Sequence, residues 1–506
     1  MSDYDPVSLK ILWDRLVAIT DEIVLSLVRT SFSINVREGY DLSCILFDAR
    51  GRTLGQGTYS VPSFTGTAPH TLRAMLAKFP PETLKPGDVV VTNDPWLGTG
   101  HLFDINIMRP VFRGDVIVGY TMSVTHLPDI GGSGMSSNAT EVYQEGLRIP
   151  VSRLMQEGEP NELLYDIIRT NVRVADEVMG DIQANITCNE VGARALLDFM
   201  DEYGVDDLTP LSDAINDHSA QAMAAEIAAI PDGTYANAID IEGLDGPIHL
   251  AATVTVSGDR VSIDFDGTDA PVRASINVPF CYTRAQSLYV IKCLTIPSLP
   301  NNEGAVRNIE VKAPVDSILN AQPPWPTGGR HSVGHFIVPL LMGALANALP
   351  ERVQADSAMM NVFSVKGENR RGEGISSLFF LATYRSTAPD SGTLNRTVKH
   401  LLHRTINRIH LHMEISNYQI AAALLQLPSM IMTDQFTYGN PLSVFLLRSK
   451  LWSLGFSKPS LVRLGQDITR IKQRSPNAEQ DTTFLPSGLS DLMQDDLDNH
   501  SQSGQE

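Results

Sequence analysis

The sequence predicts an α+β fold, with a mixed helix-and-strand unit over residues 1–231 and a mainly antiparallel β unit with helices over 232–381. Two observations carry this. Helical and strand-like patterns are interleaved up to about residue 230, and short strand patterns joined by tight turns follow.

Leu9, Leu12, Leu16, Ile19, Ile23 and Leu27 recur at spacings of three and four, so they share one face of a long amphipathic helix that must dock on something. Residues 42–47 read as a strand, closed by the turn Asp48-Ala49-Arg50-Gly51. A second helical pattern runs between Gly66 and Ala77. Lys85-Pro86-Gly87-Asp88 then turns the chain into a strand at 89–92, a polar loop and another strand. After Gly114-Asp115 comes the β-branched run 116–125, which delivers His126 at its end. Residues 163–203 are helical in pattern, with Gly204 as a stop, and 212–230 form another helix before the turn Pro231-Asp232-Gly233. Strands are expected at 234–241, 248–256 and 260–265, helices at 284–295 and 335–349, and a Pro-rich loop at 321–329.

Composition narrows the function classes. At 506 residues the chain exceeds one simple core, and 43% hydrophobic with 19% charged residues is ordinary for a globular protein. A formal charge of −19 argues against nucleic acid, whose phosphates demand a basic surface. Cys44, Cys188, Cys281 and Cys293 are widely spread, which suggests neither a zinc ribbon nor a disulfide framework. The start MSDYDPVSLK lacks a basic segment followed by an apolar core, and no apolar run is long enough to span a membrane. The expectation is a cytoplasmic protein with no membrane partner. Charge shifts late in the chain: residues 382–475 hold 12 Lys/Arg against 4 Asp/Glu, an atypical basic stretch. Residues 476–506 hold none against 7, as in a disordered acidic tail.

Chemistry-bearing residues concentrate in NDPWLGTGHLFDINI (93–107) and VTHLPDIGG (124–132), where His101/Asp104 and His126/Asp129 repeat the spacing His-x-x-Asp at the ends of neighbouring strands. Loops leaving strand ends are held in place yet accessible, which suits site residues. Two imidazoles and a carboxylate, His101, His126 and Asp104, can cap one divalent ion of the manganese, iron or zinc kind and leave positions open. Alternatively they are loop histidines bonded to nearby carboxylates. Asp94 and Asp129 are further ligands or orienting groups; Asp94 also suits a turn in Asn-Asp-Pro. Arg330 and His331, with His335, stand at a helix start after two glycines, where they either bind an anionic intermediate or cap and pack. Gly131-Gly132-Ser133-Gly134 is an anion nest or a flexible turn, and Cys188 and Cys281 read as core thiols.

Taken together, REGYDLSCILFDARGR (37–52), NDPWLGTGHLFDINIMRPVF (93–112), VTHLPDIGG, GDIQANITCNEVGARAL (180–196), SIDFDGTD (262–269), NVPFCYT (277–283) and PTGGRHSVGH (326–335) resemble the hydantoinase B/oxoprolinase family. That family includes the B-type chains of N-methylhydantoinases, the carboxyl half of 5-oxoprolinase and the alpha subunit of acetone carboxylase. The resemblance implies a hydantoinase A-like partner subunit that uses ATP to phosphorylate a carbonyl or enolate, while the subunit resembled here completes the reaction. It also implies a metal on the His-x-x-Asp pair and the later His, matching His101, Asp104 and His126. Hydrolytic opening of a small cyclic amide is then expected, with Asp94, Asp129 or Glu38 positioning the water. The alternatives are a ketone carboxylase subunit and a non-catalytic scaffold of the ATPase partner. After SSLFFLA (376–382) the resemblance breaks off where the charge shift begins, and an altered reading frame, testable by resequencing, is the expectation.

Overall fold

The computed structural model describes residues 4–61, 64–353, 360–368 and 374–382. The expected tails at 382–475 and 476–506 lie outside the described residues, apart from Ala382. The described residues up to Gly367, with those from Gly374 to Ala382, form one compact unit.

Seven strands build one wholly antiparallel sheet: β1 (Leu42–Asp48), β2 (Thr53–Gln56), β3 (Val89–Thr92), β4 (Asp104–Arg113), β5 (Val116–His126), β6 (Ser152–Gln156) and β7 (Glu159–Pro160), in the order β2-β1-β5-β4-β3-β6-β7. The central strands are buried on both faces. Alternate residues therefore feed different cores: Leu42, Cys44 and Leu46 point to one side, Ile45, Phe47, Tyr120, Met122 and Val124 to the other.

Helix α1 (Pro6–Thr30) covers the first side with the stripe read from the sequence, Leu9 to Leu27, and Asp5 caps it by accepting from Val7 N and Ser8 N. A single turn, α2 (Ile34–Arg37), follows, and α3 (Phe64–Lys78) covers the other side of the sheet. The helical stretch expected over 163–203 is two helices, α4 (Glu162–Asn171) and α5 (Ala175–Glu202). They are separated where Asp129 accepts from the Arg173 backbone amide and pairs with its guanidinium. Helix α5 packs beside α1, and Asn185 and Asn189 donate to Thr125 Oγ1 and Ser123 Oγ of β5, tying down the strand that ends in His126. Helix α6 (Thr209–Ala228) completes this half.

Next comes a four-stranded sheet of β8 (Gly233–Ile241), β9 (Ile248–Ser257), β10 (Arg260–Asp264) and β11 (Ile309–Lys312), ordered β11-β10-β9-β8 over its own apolar core. Its first three strands match expectation. β11 pairs parallel to β10, because the chain crosses over through α7 (Phe280–Leu294) before re-entering the sheet. Two short helices, α8 (His331–Gly334) and α9 (Ile337–Leu345), and a two-stranded sheet of β12 (Met360–Glu368) and β13 (Gly374–Ala382) follow. The architecture is α+β.

Candidate metal centre

Cross-strand register explains why two His-x-x-Asp pairs sit at neighbouring strand ends. Asp104 opens β4 and His126 closes β5, and the two are direct partners across the ladder, so both side chains leave the same face. His101 joins them from the preceding turn. One ligand atom from each of the three lies within 4.8 Å of the others, and all three residues are buried. His101 Nε2 is 2.9 Å and His126 Nδ1 3.3 Å from Asp104 Oδ1.

The surroundings fix how each atom points. Asp104 Oδ2 accepts from Thr99 Oγ1 (2.5 Å) and Arg330 Nη2 (3.0 Å), which leaves Oδ1 without a hydrogen bond. His101 Nδ1 lies 3.3 Å from the Gly328 carbonyl, a contact that places the proton on Nδ1 and the lone pair on Nε2. Nε2 likewise makes no directional hydrogen bond, although it is fully buried. Orphaned buried atoms are rare, and two converging on one point fit a cation. Phe103 stacks on His126 at 5.1 Å with rings 8° apart, fixing its plane.

Protonation agrees with that role. Burial, then the nearby Arg330 charge, push His101 down to about 4, so it is neutral at pH 7. Burial alone would raise Asp104, but His101, His126 and Arg330 prevail and hold it well below the usual carboxylate range. Neutral imidazole and ionised carboxylate are the forms that ligate.

The triad forms part of the wall of a cavity of about 400 Å³, which is otherwise lined by α7 residues Tyr282, Gln286 and Tyr289, by Arg330, His331 and His335, and by Asp41 among others. Asp41 Oδ2 stands 3.5 Å from His126 Nδ1. Burial raises its carboxyl to about 6, partly opposed by His126. Burial also lowers His331 to about 3 and His335 to about 4, so both imidazoles are neutral at pH 7.

Other expected residues sit elsewhere. Asp94 accepts from the Trp96 amide and pairs with Arg148, while Asp129 is engaged by Arg173 and the Gly131 amide. Neither lines the cavity, and each holds a loop. Glu38 caps the end of α2 and is likewise absent from the lining, whereas its neighbours Gly39 and Asp41 are present. Arg330 does face the cavity, but two of its nitrogens are taken, Nε by the Thr99 carbonyl and Nη2 by Asp104, and its guanidinium lies 4.4 Å over the Tyr282 ring. Cys188 and Cys281 are buried as expected. The sequence left Asp41 unmarked as a site residue, because an Asp after Gly-Tyr carries no spacing signal.

A family model described as hydantoinase B/oxoprolinase matches residues 5–392. The chain belongs to the hydantoinase B/oxoprolinase family. That match ends close to where the charge composition changes. The B-type chain of a putative D-/L-hydantoinase from Pseudomonas sp. (strain NS671) is 29% identical over 385 residues, covering 72% of this chain. The chain thus spans 65% of that relative's length. The crystal structure of the ATP-dependent caprolactamase from Pseudomonas jessenii superimposes with a TM-score of 0.68 at 27% identity, over 75% of this chain and 67% of that one. The nucleotide-free structure of acetone carboxylase shares the fold, with a TM-score of 0.67 at 20% identity over 74% and 53% of the two chains. Among the described residues of this family member, no helix is long and apolar enough to cross a membrane.

Proposed function

We propose that the chain is the B-type component of an ATP-dependent cyclic amidohydrolase, which opens a small lactam or imide ring after an A-type partner has activated its carbonyl. The observation that carries this is the pair of orphaned ligand atoms, His101 Nε2 and Asp104 Oδ1, beside His126 in a family member whose relatives are named for hydantoin and caprolactam hydrolysis. His101, Asp104 and His126 would hold one divalent ion (manganese, iron or zinc), with Asp41 adjacent to His126. Such an ion supplies Lewis acidity, polarising a carbonyl or lowering the pKa of water.

The protein's own groups do the rest. Arg330 and Thr99 bind Asp104 Oδ2, so only one carboxylate oxygen is offered inward. His331 and His335 line the cavity as neutral imidazoles, able to donate or accept a hydrogen bond without adding charge. With a divalent ion in place, Asp41 and Asp104 against Arg330 leave the cavity one positive charge, which suits a phosphorylated or otherwise anionic intermediate. Tyr282 and Tyr289 supply the aromatic wall against which a small ring would pack.

Co-expression with an A-type ATPase tests this. Incubation with ATP and hydantoin, 5-oxoproline or caprolactam should open a ring. Carboxylation of acetone by bicarbonate instead would move the chain to the ketone carboxylase branch, and neither reaction would leave it a scaffold for its partner.

A further inference from the structure

Glu145 is a buried carboxylate that the metal centre does not use directly. It is 1% exposed, and its Oε1 accepts from the Gly328 amide (2.7 Å) and from the Ser275 hydroxyl. Gly328 is the residue whose carbonyl holds His101 Nδ1. The same peptide segment is secured again one residue later, where Gly329 N donates to the Ser275 carbonyl (2.6 Å). The next residue, Arg330, orders Asp104 and Thr99. One short strap, residues 328–330, therefore orients two of the three proposed ligands, and its anchor is a carboxylate from the loop after β5.

Close approach shows how tightly the strap is fitted. A Cβ at Gly328 would lie 3.0 Å from Ser275 Oγ and 3.1 Å from Glu145 Oε1, so no larger residue fits without moving the anchor.

We infer that Glu145 is a positioning residue of the metal centre: through the Gly328 peptide it fixes the tautomer and direction of His101, and through Arg330 the free oxygen of Asp104. This rests on the metal reading above. Groups that orient metal ligands through hydrogen bonds change affinity by about 10–100-fold when removed. Loss of Glu145 should therefore lower affinity within that range.

Cobalt(II) binding to the full-length chain, followed by chelator competition and by the visible absorption of the bound ion, tests the inference. Glu145→Ala should bind Co²⁺ at least about 10-fold more weakly, with an altered visible spectrum. Glu145→Gln keeps an oxygen that can accept from Gly328 and should lose less than the about 10-fold expected of Glu145→Ala, a rescue that simple loss of packing would not give. Equal affinity in Glu145→Ala and wild type overturns the inference. So does a Glu145→Gln protein as weak as Glu145→Ala, since the accepting oxygen would not then be what matters. Should Glu145→Ala fail to fold, Glu145→Gln decides alone: a loss of about 10-fold or more in that variant overturns the inference. A wild-type chain that binds no Co²⁺ removes the metal reading itself, a result distinct from binding that ignores Glu145.

Discussion

Asp104 divides its oxygens: Oδ2 accepts from Thr99 and Arg330, and Oδ1 faces His101 and His126. Arg330→Met would leave that carboxylate buried without its counter-charge, at a cost of about 3–5 kcal/mol in urea unfolding. Acid should destabilise the metal-free chain as well. His101, His331 and His335 have folded pKa values of about 4, 3 and 4 against an ordinary 6.5, so the unfolded chain binds more protons below pH 6.5. Stability is therefore fully present above 6.5 and falls as pH drops toward 4. Asp41 acts in the opposite sense: raised to about 6, it takes up a proton in the folded state between pH 6 and its ordinary 3.8, and offsets one of the three histidines. The three histidines together should outweigh Asp41, so urea titration in EDTA should show the metal-free chain losing stability between pH 6.5 and 4. Of these residues, His101, Asp104 and His126 were legible because two share a turn and the third ends the neighbouring strand. The partnership of Arg330 with Asp104 spans 226 positions, and no local pattern announces it.

Helices and strands with a strong period were legible for the same reason. The stripe of α1 and the β-branched run of β5 depend on neighbours within a turn or a ladder step. Short strands such as β2 and β11, four residues each, were not anticipated, since they owe their state to the sheet they join. The break between α4 and α5 depends on the Asp129–Arg173 pair, again a tertiary matter. One close contact sets the position of α7 against α3: a Cβ on Gly66 would lie 2.7 Å from Ala285 Cα. Gly66→Ala must push α7, which carries Tyr282, Gln286 and Tyr289, away from the sheet end. A loss of about 1–3 kcal/mol is expected by thermal unfolding, together with weaker substrate binding in the complex, because the aromatic wall moves.

At the scale of the whole molecule, the cavity exists because the second sheet's helices α7 and α8 are brought against the end of the first sheet, where β4 and β5 deliver the ligands. Neither half holds the site alone: the first supplies His101, Asp104 and His126, and the second supplies Arg330, His331 and His335. The family assignment was readable from ordered blocks along residues 5–381, and the matching family model covers 5–392. Substrate identity was not readable, because the cavity wall is built from side chains distant in sequence. Activity should require the A-type partner, so the chain incubated alone with ATP and a hydantoin should leave the ring closed by chromatography. If His101, Asp104 and His126 close around a single ion, metal content after dialysis reports it. Elemental analysis should find about one equivalent of a divalent transition metal in the wild-type chain and less than about a tenth in His101→Ala, with unchanged circular dichroism. A metal-free wild type, or the same content in both proteins, would contradict the account.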